Sequence, residues 1–191
     1  VTAEVKSEVA PKSYDDLLTP KWKGKMLLDI NGPEWYAGML QVLGREKGLQ
    51  YMKSLAKQDL NFRQSKVLAN QVLTSGEFNL LVNNYEHLVQ TAKKKGAPLE
   101  SVAAYPVLSR VHTIALARSA PHPNAGRLYI DFVLSEEGQR ILRGFGRSSS
   151  RKGIEPDELQ KKGVKLYVTD MSLAKDLGLM DKEFKEIFGI K

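Results

Sequence analysis

Short apolar runs alternate with amphipathic stretches along most of this chain, and no other feature limits the fold as much. Lys25 to Ile30 (KMLLDI) reads as a short buried strand, and Asn31-Gly32-Pro33 breaks it. Glu34 to Gly48 then carries Trp35, Met39, Val42 and Leu43 at helical spacing, and Leu49 to Lys57 continues as a second helix with Tyr51, Met52 and Leu55 inward. Asn61-Phe62 reads as a short strand, Ser65 to Thr74 as a helix ending at Gly76, and Phe78 to Val82 as a further strand. Tyr85 to Lys95 is the next helix, stopped by Gly96 and Pro98. His112 to Arg118 (HTIALAR) has the pattern of another buried strand. Pro121 to Pro123 predicts a turn, Asn124 caps a helix running through Val133, and Ser135-Glu136-Glu137-Gly138-Gln139 opens another helical segment. Gly144 to Gly153 (GFGRSSSRKG) is the most linker-like stretch, and the tail holds one strand, Lys165 to Val168, and two short helices. Strands alternating with helices predict an α/β layered sheet. Ligands of such sheets sit beyond the carboxyl ends of the strands, where loops lead into helices.

With 191 residues, 42% apolar and 27% charged, the chain has the balance of a folded protein rather than a disordered one. No apolar run approaches the roughly 20 residues that span a bilayer. There is no cysteine, so disulfides and thiolate metal sites are excluded. The net charge is +7, but the cations are spread along the chain. Their densest run, Lys93-Lys94-Lys95, ends a predicted helix, where cations suit the macrodipole. Nucleic-acid binding needs the charge gathered on one face with aromatics between, so no nucleic-acid partner is expected. The chain opens at Val1 without a signal-like apolar segment, and the sequence carries no readable address.

Catalytic signatures are missing. The three histidines, His87, His112 and His122, have no G-x-S-x-G elbow beside them. There is no H-E-x-x-H, Walker A loop or G-x-G-x-x-G. Two loops carry the remaining chemical interest. In Asp29 to Trp35, Gly32 lets the backbone approach a ligand, and the following helix offers unpaired N–H groups to an anion. Pro33 suits the first helical turn but gives up one donor. In Val82 to His87, two carboxamides, a phenol, a carboxylate and an imidazole converge. Phenolate, carboxylate and imidazole are candidate metal ligands, and Asn bonds to anions or sugars. Each loop is also readable as an ordinary capped turn into a helix.

Three blocks narrow the choice: Pro11 to Asp29 (PKSYDDLLTPKWKGKMLLD), Ala120 to Gln139 (APHPNAGRLYIDFVLSEEGQ), and Leu73-Thr74-Ser75-Gly76-Glu77 followed by Asn83-Asn84-Tyr85. Together they resemble the bacterial extracellular (periplasmic) solute-binding proteins of ABC transporters, of the ferric-binding-protein-like type. The resemblance runs from Val1 to Phe184-Gly189 (FKEIFG). It implies a type II periplasmic binding protein-like α/β fold, two-lobed at full length, whose cleft closes on a ligand. Residues 1–105 match lobe two, 106–145 a hinge and the returning segment of lobe one, and 146–191 a tail packing back on lobe two. The opening half of lobe one has no counterpart, so the expectation is a fragment. The apolar face of Tyr129, Phe132 and Val133 is then expected to need another cover: the missing part of lobe one as a second fragment, a swapped chain or a rearranged fold.

The resemblance also carries over ligand positions. The anion-holding loop matches Asn31, Gly32 and Pro33, and the polar residue before the next helix falls at Ser65. Asn83 matches the asparagine ahead of paired tyrosines, with Asn84 beside it; Tyr85 matches the first tyrosine, and Glu86 replaces the second. Tyr85 and Glu86 are the candidate metal ligands. The implied function is non-catalytic: the substrate-binding component of an importer, periplasmic or extracellular (lipid-anchored in Gram-positive bacteria), partnered by an ABC permease. No resident cofactor is expected. The implied cargo is ferric ion with an anion, or a small organic or phosphonate anion. A ligand-sensing domain of a regulator on the same fold is the alternative, and an enzyme on this scaffold lacks an identifiable activated nucleophile.

Overall fold

The computed structural model describes residues 1–2, 5, 9–149, 151–154 and 161–190. Two compact units emerge: Val1–Arg110 with Lys165–Lys191, and Val111–Val164.

The first unit is built on strand β1, Met26–Asp29, with all four residues buried. It lies between β2 (Asn61–Arg63) and β3 (Leu80–Leu81), and both pairings are parallel. Leu28 pairs with Phe62 and Leu27 with Leu81. A parallel sheet needs helical crossovers, and these cover both of its faces. Four helices follow the strands: α1 (Pro33–Leu43), α2 (Arg45–Ala56), α3 (Lys66–Thr74) and α4 (Glu86–Lys94). Strand side chains alternate between faces, and β1 shows the consequence. Met26 and Leu28 join Tyr36, Met39, Tyr51, Met52 and Leu55 of α1 and α2 in one core. Leu27 faces the opposite core, with Ala69, Leu73, Phe78 and Val89 around α3 and α4. The tail helix α7, Leu177–Phe188, returns Phe184 and Phe188 to the first of these cores.

A second parallel pair, β4 (Val107–Ser109) with β5 (Leu166–Val168), belongs to the same unit. Helix α1 lies flush against it at Gly38. A Cβ there would come within 2.8 Å of Thr169 Cγ2 and 2.9 Å of Leu108 Cδ1.

The second unit contains α5 (Pro123–Leu134) and α6 (Glu136–Gly144). Ser135 joins them and caps α6, its Oγ accepting from Gly138 N–H at 3.1 Å. No residue of α5 is buried; Leu128 is 71% exposed and Tyr129 63%.

Three local expectations are corrected. The helix expected over Glu34 to Gly48 breaks at Gly44, whose φ of +81° lies in the region that favours glycine. The strand expected at His112 to Arg118 is absent, and all of those residues but Leu116 are exposed; the strand that forms nearby is β4, upstream. Asn124 does not cap α5. Pro123 takes the first helical position, which its fixed φ suits, leaving His122 as the cap residue. Asn124 Oδ1 instead accepts from Arg127 at 3.1 Å. Among the described residues, no helix is long and apolar enough to cross a membrane.

Candidate functional site: the carboxyl edge of the sheet

Because β1, β2 and β3 are parallel, their carboxyl ends share one edge of the sheet. Each strand there feeds a helix: β1 leads to α1, β2 to α3 and β3 to α4. Three helix N-termini therefore gather at that edge. The first-turn N–H groups of each have no intrahelical acceptor, and each end carries roughly half a positive charge. Every sequence-predicted site residue lies on these three connections or, as Pro33 and Glu86 do, at the first position of the helix that follows.

The connections are tied to one another by side chains. Asn83, 4% exposed, accepts from Asp29 N–H and donates to Asp29 C=O, both at 2.9 Å. It clips the third connection to the end of β1. Gly32 is required by the same contact, since a Cβ there would lie 2.6 Å from Asn83 Nδ2. Asn31 donates its amide to Gln64 C=O, joining the first connection to the second. Asn84 and Asn70 exchange carboxamide bonds at 2.8 and 3.1 Å, and Asn84 Oδ1 also accepts from Tyr85 N–H at 2.8 Å. Ser65 caps α3 through Val67 N–H at 3.2 Å. Pro33 opens α1. Glu86 accepts from Gln90 Nε2 at 2.6 Å, one turn along α4.

Two ion pairs stand at this edge, and they differ in burial. Asp29, at the end of β1, pairs with Lys66, with side chains 2% and 9% exposed. Lys66 occupies the first turn of α3, where the macrodipole opposes a cation and no acidic residue stands. The buried carboxylate is what holds it there, and breaking such a pair costs several kcal/mol because a lone charge stays buried. Arg110 pairs with Glu34 of α1, with side chains 34% and 41% exposed. An exposed pair of this kind contributes about 0–1 kcal/mol. Both cations approach the ring of Tyr85: Lys66 Nζ lies 4.7 Å from its centroid and Arg110 Cζ 5.8 Å. The ring also stacks on His87, with centroids 5.5 Å apart and planes at 19°.

Sequence reasoning did not single out Lys66, Asn70 or Arg110. The signal for Lys66 was present, as a lone cation in the first turn of a helix. Arg110 reaches the site from 76 positions beyond Glu34, and no local pattern announces that. Among the described residues, no group of three His, Cys, Asp or Glu is placed to hold a metal ion. Chemically, the edge offers N–H donors and balanced charge to an anion, with a phenol and a carboxylate beside them.

Residues 2–172 match the family described as bacterial extracellular solute-binding protein. Among solved structures, the substrate-binding protein of an ABC transporter from Agrobacterium tumefaciens superposes with a TM-score of 0.75 at 13% identity, over 98% of this chain and 63% of that one. Iron-bound HitA from Pseudomonas aeruginosa gives 0.70 at 22% identity, over 95% and 63%. The periplasmic binding protein AfuA from Actinobacillus pleuropneumoniae, with fructose-6-phosphate bound, gives 0.64 at 21%, over 94% and 58%. The chain thus spans about three fifths of the length of these neighbours, and the likeness establishes a periplasmic-binding-protein α/β fold. With nine tenths of its length inside the family match, the chain belongs to the bacterial extracellular solute-binding proteins.

Proposed function

We propose that the carboxyl edge of the three-stranded sheet is one wall of a solute-gripping cleft, and that the chain serves as the substrate-binding component of an ABC importer at the periplasmic or extracellular face. The observation that carries this reading is the gathering of three helix N-termini by side chains that fix their connections to one another. Such an array is pre-organised, so an anion meets aligned donors without reordering the backbone. In this reading Asn31, Ser65, Asn84, Tyr85 and Glu86 face the solute, while Gly32, Pro33 and Asn83 shape the wall. A ligand preferring the closed cleft shifts the population toward it.

The cargo class that fits best is a small solute bearing a phosphate, phosphonate or carboxylate group. AfuA with fructose-6-phosphate supports the anionic class, and iron-bound HitA supports a second form of cargo, ferric ion with an anion. In that second form Tyr85 and Glu86 would be the metal ligands. Calorimetric titration with inorganic phosphate is expected to give saturable binding that Tyr85→Phe changes by less than about threefold. A charge-transfer band on adding ferric ion with phosphate, lost in Tyr85→Phe, would assign the metal-containing cargo instead. Absence of saturable binding with either overturns the reading.

A further inference from the structure

Arg110 is the last residue of the first unit before the chain enters the second, directly after β4. Its guanidinium is placed by two groups of the site: the Glu34 carboxylate in the first turn of α1, and the face of the Tyr85 ring at the start of α4. Three structural elements therefore meet at one cation. The neighbouring pair, Asp29 with Lys66, provides a contrast. Its charges are out of water, so neither partner is free to exchange. Arg110 and Glu34 remain in contact with water, so replacing Glu34 by another anion leaves no stranded buried charge.

We infer that Arg110 is a selectivity residue of the solute site and that Glu34 is its built-in stand-in, a carboxylate that an incoming phosphate or carboxylate group displaces. The inference rests on the anionic-solute reading above and adds to it a named residue and an exchange. The chemistry suits the role. A guanidinium stays charged at any working pH and presents paired donors that match the two oxygens of a phosphate or carboxylate. The Tyr85 ring, 5.8 Å from Arg110 Cζ, is a second contact of the guanidinium that does not depend on which carboxylate or phosphate partners it. Glu34, on the first turn of α1, is itself an anion at a helix N-terminus, and a solute competes with it for that field as well as for Arg110. A neutral solute gains nothing from the exchange, and the pair would then discriminate in favour of anions.

The test is calorimetry with inorganic phosphate on the wild-type chain, Glu34→Gln, Arg110→Ala, Arg110→Lys and the Glu34→Gln/Arg110→Ala double variant. Exchange predicts that Glu34→Gln tightens phosphate binding about fivefold, because the competitor is gone and Arg110 remains. Arg110→Ala should weaken binding about tenfold or more, with Arg110→Lys recovering part of the loss. In the Arg110→Ala background, Glu34→Gln should tighten binding by less than it does with Arg110 present, because only the competition for the helix field remains; an equal gain in both backgrounds overturns the exchange. If Glu34→Gln weakens binding or leaves it unchanged while the wild type binds phosphate, the pair is structural and the exchange is overturned. Unchanged affinity in Arg110→Ala overturns it too. Should Arg110→Ala fail to fold, the sign of the Glu34→Gln effect still decides. A wild-type chain that binds no phosphate overturns the anionic-solute reading itself, a result separable from failure of the exchange.

Discussion

Strand β1 and helix α5 are both rich in apolar side chains, yet they meet opposite environments. Met26, Leu27 and Leu28 are each 0% exposed, whereas Leu128, Tyr129 and Phe132 of α5 are 71%, 63% and 44% exposed. Strand β1 has a hydrogen-bonded strand on either side and helices on both faces. Helix α5, considered within its own unit, packs against α6 and keeps its apolar stripe in water. Apolar character sets what a segment gains from burial. Whether it is buried depends on which faces the rest of the fold supplies. The site follows the same division, since its three connections all hang from the buried sheet.

The largest expected effect comes from breaking the polar end of the buried strand. Asp29→Ala strands the Lys66 ammonium beneath the loops and is expected to destabilise the first unit by about 3–5 kcal/mol. Adding Lys66→Met to that variant should recover much of the loss, since the stranded charge is then gone. Urea unfolding followed by tryptophan fluorescence reads this directly, because both tryptophans, Trp22 and Trp35, lie in the first unit. A shift below 1 kcal/mol for Asp29→Ala would show that Lys66 reaches water once its partner is removed.

A matched pair of truncations sharpens the contrast between the two regions. Leu28→Ala empties space inside the first core and should cost about 2–5 kcal/mol. Leu128→Ala removes a side chain already in water and should change stability by less than about 0.5 kcal/mol, measured by circular dichroism during urea unfolding. Equal costs would mean that Leu128 is covered in solution and that the contrast between the regions is false.

The same division explains what the sequence revealed. Strand β1 was legible because a strand buried on both faces reads as a continuous apolar run bounded by turn residues. Helices α3 and α4 were legible from their ends, with Ser65 before one and Gly96 after the other. The HTIALAR segment misled for the converse reason: its apolar residues match a buried strand, but nothing in the described fold buries them. Helix α1 buries Tyr36, Ala37 and Leu40 in addition to Met39, a wider arc than its spacing predicted, because it packs against α2, α7 and β4 together. At the site, the residues on the three connections were readable as loop chemistry. The long-range ties, Asn83 to Asp29 and Arg110 to Glu34, were not, since each joins positions more than 50 apart and leaves no local period.

In the proposed function an anion settles where α1, α3 and α4 begin. Following backbone amide resonances while titrating inorganic phosphate tests it residue by residue. Saturable shifts are expected at residues 31–35, 64–67 and 83–87, with the two cores unmoved. Shifts centred on α5 and α6, or none that saturate, would contradict it.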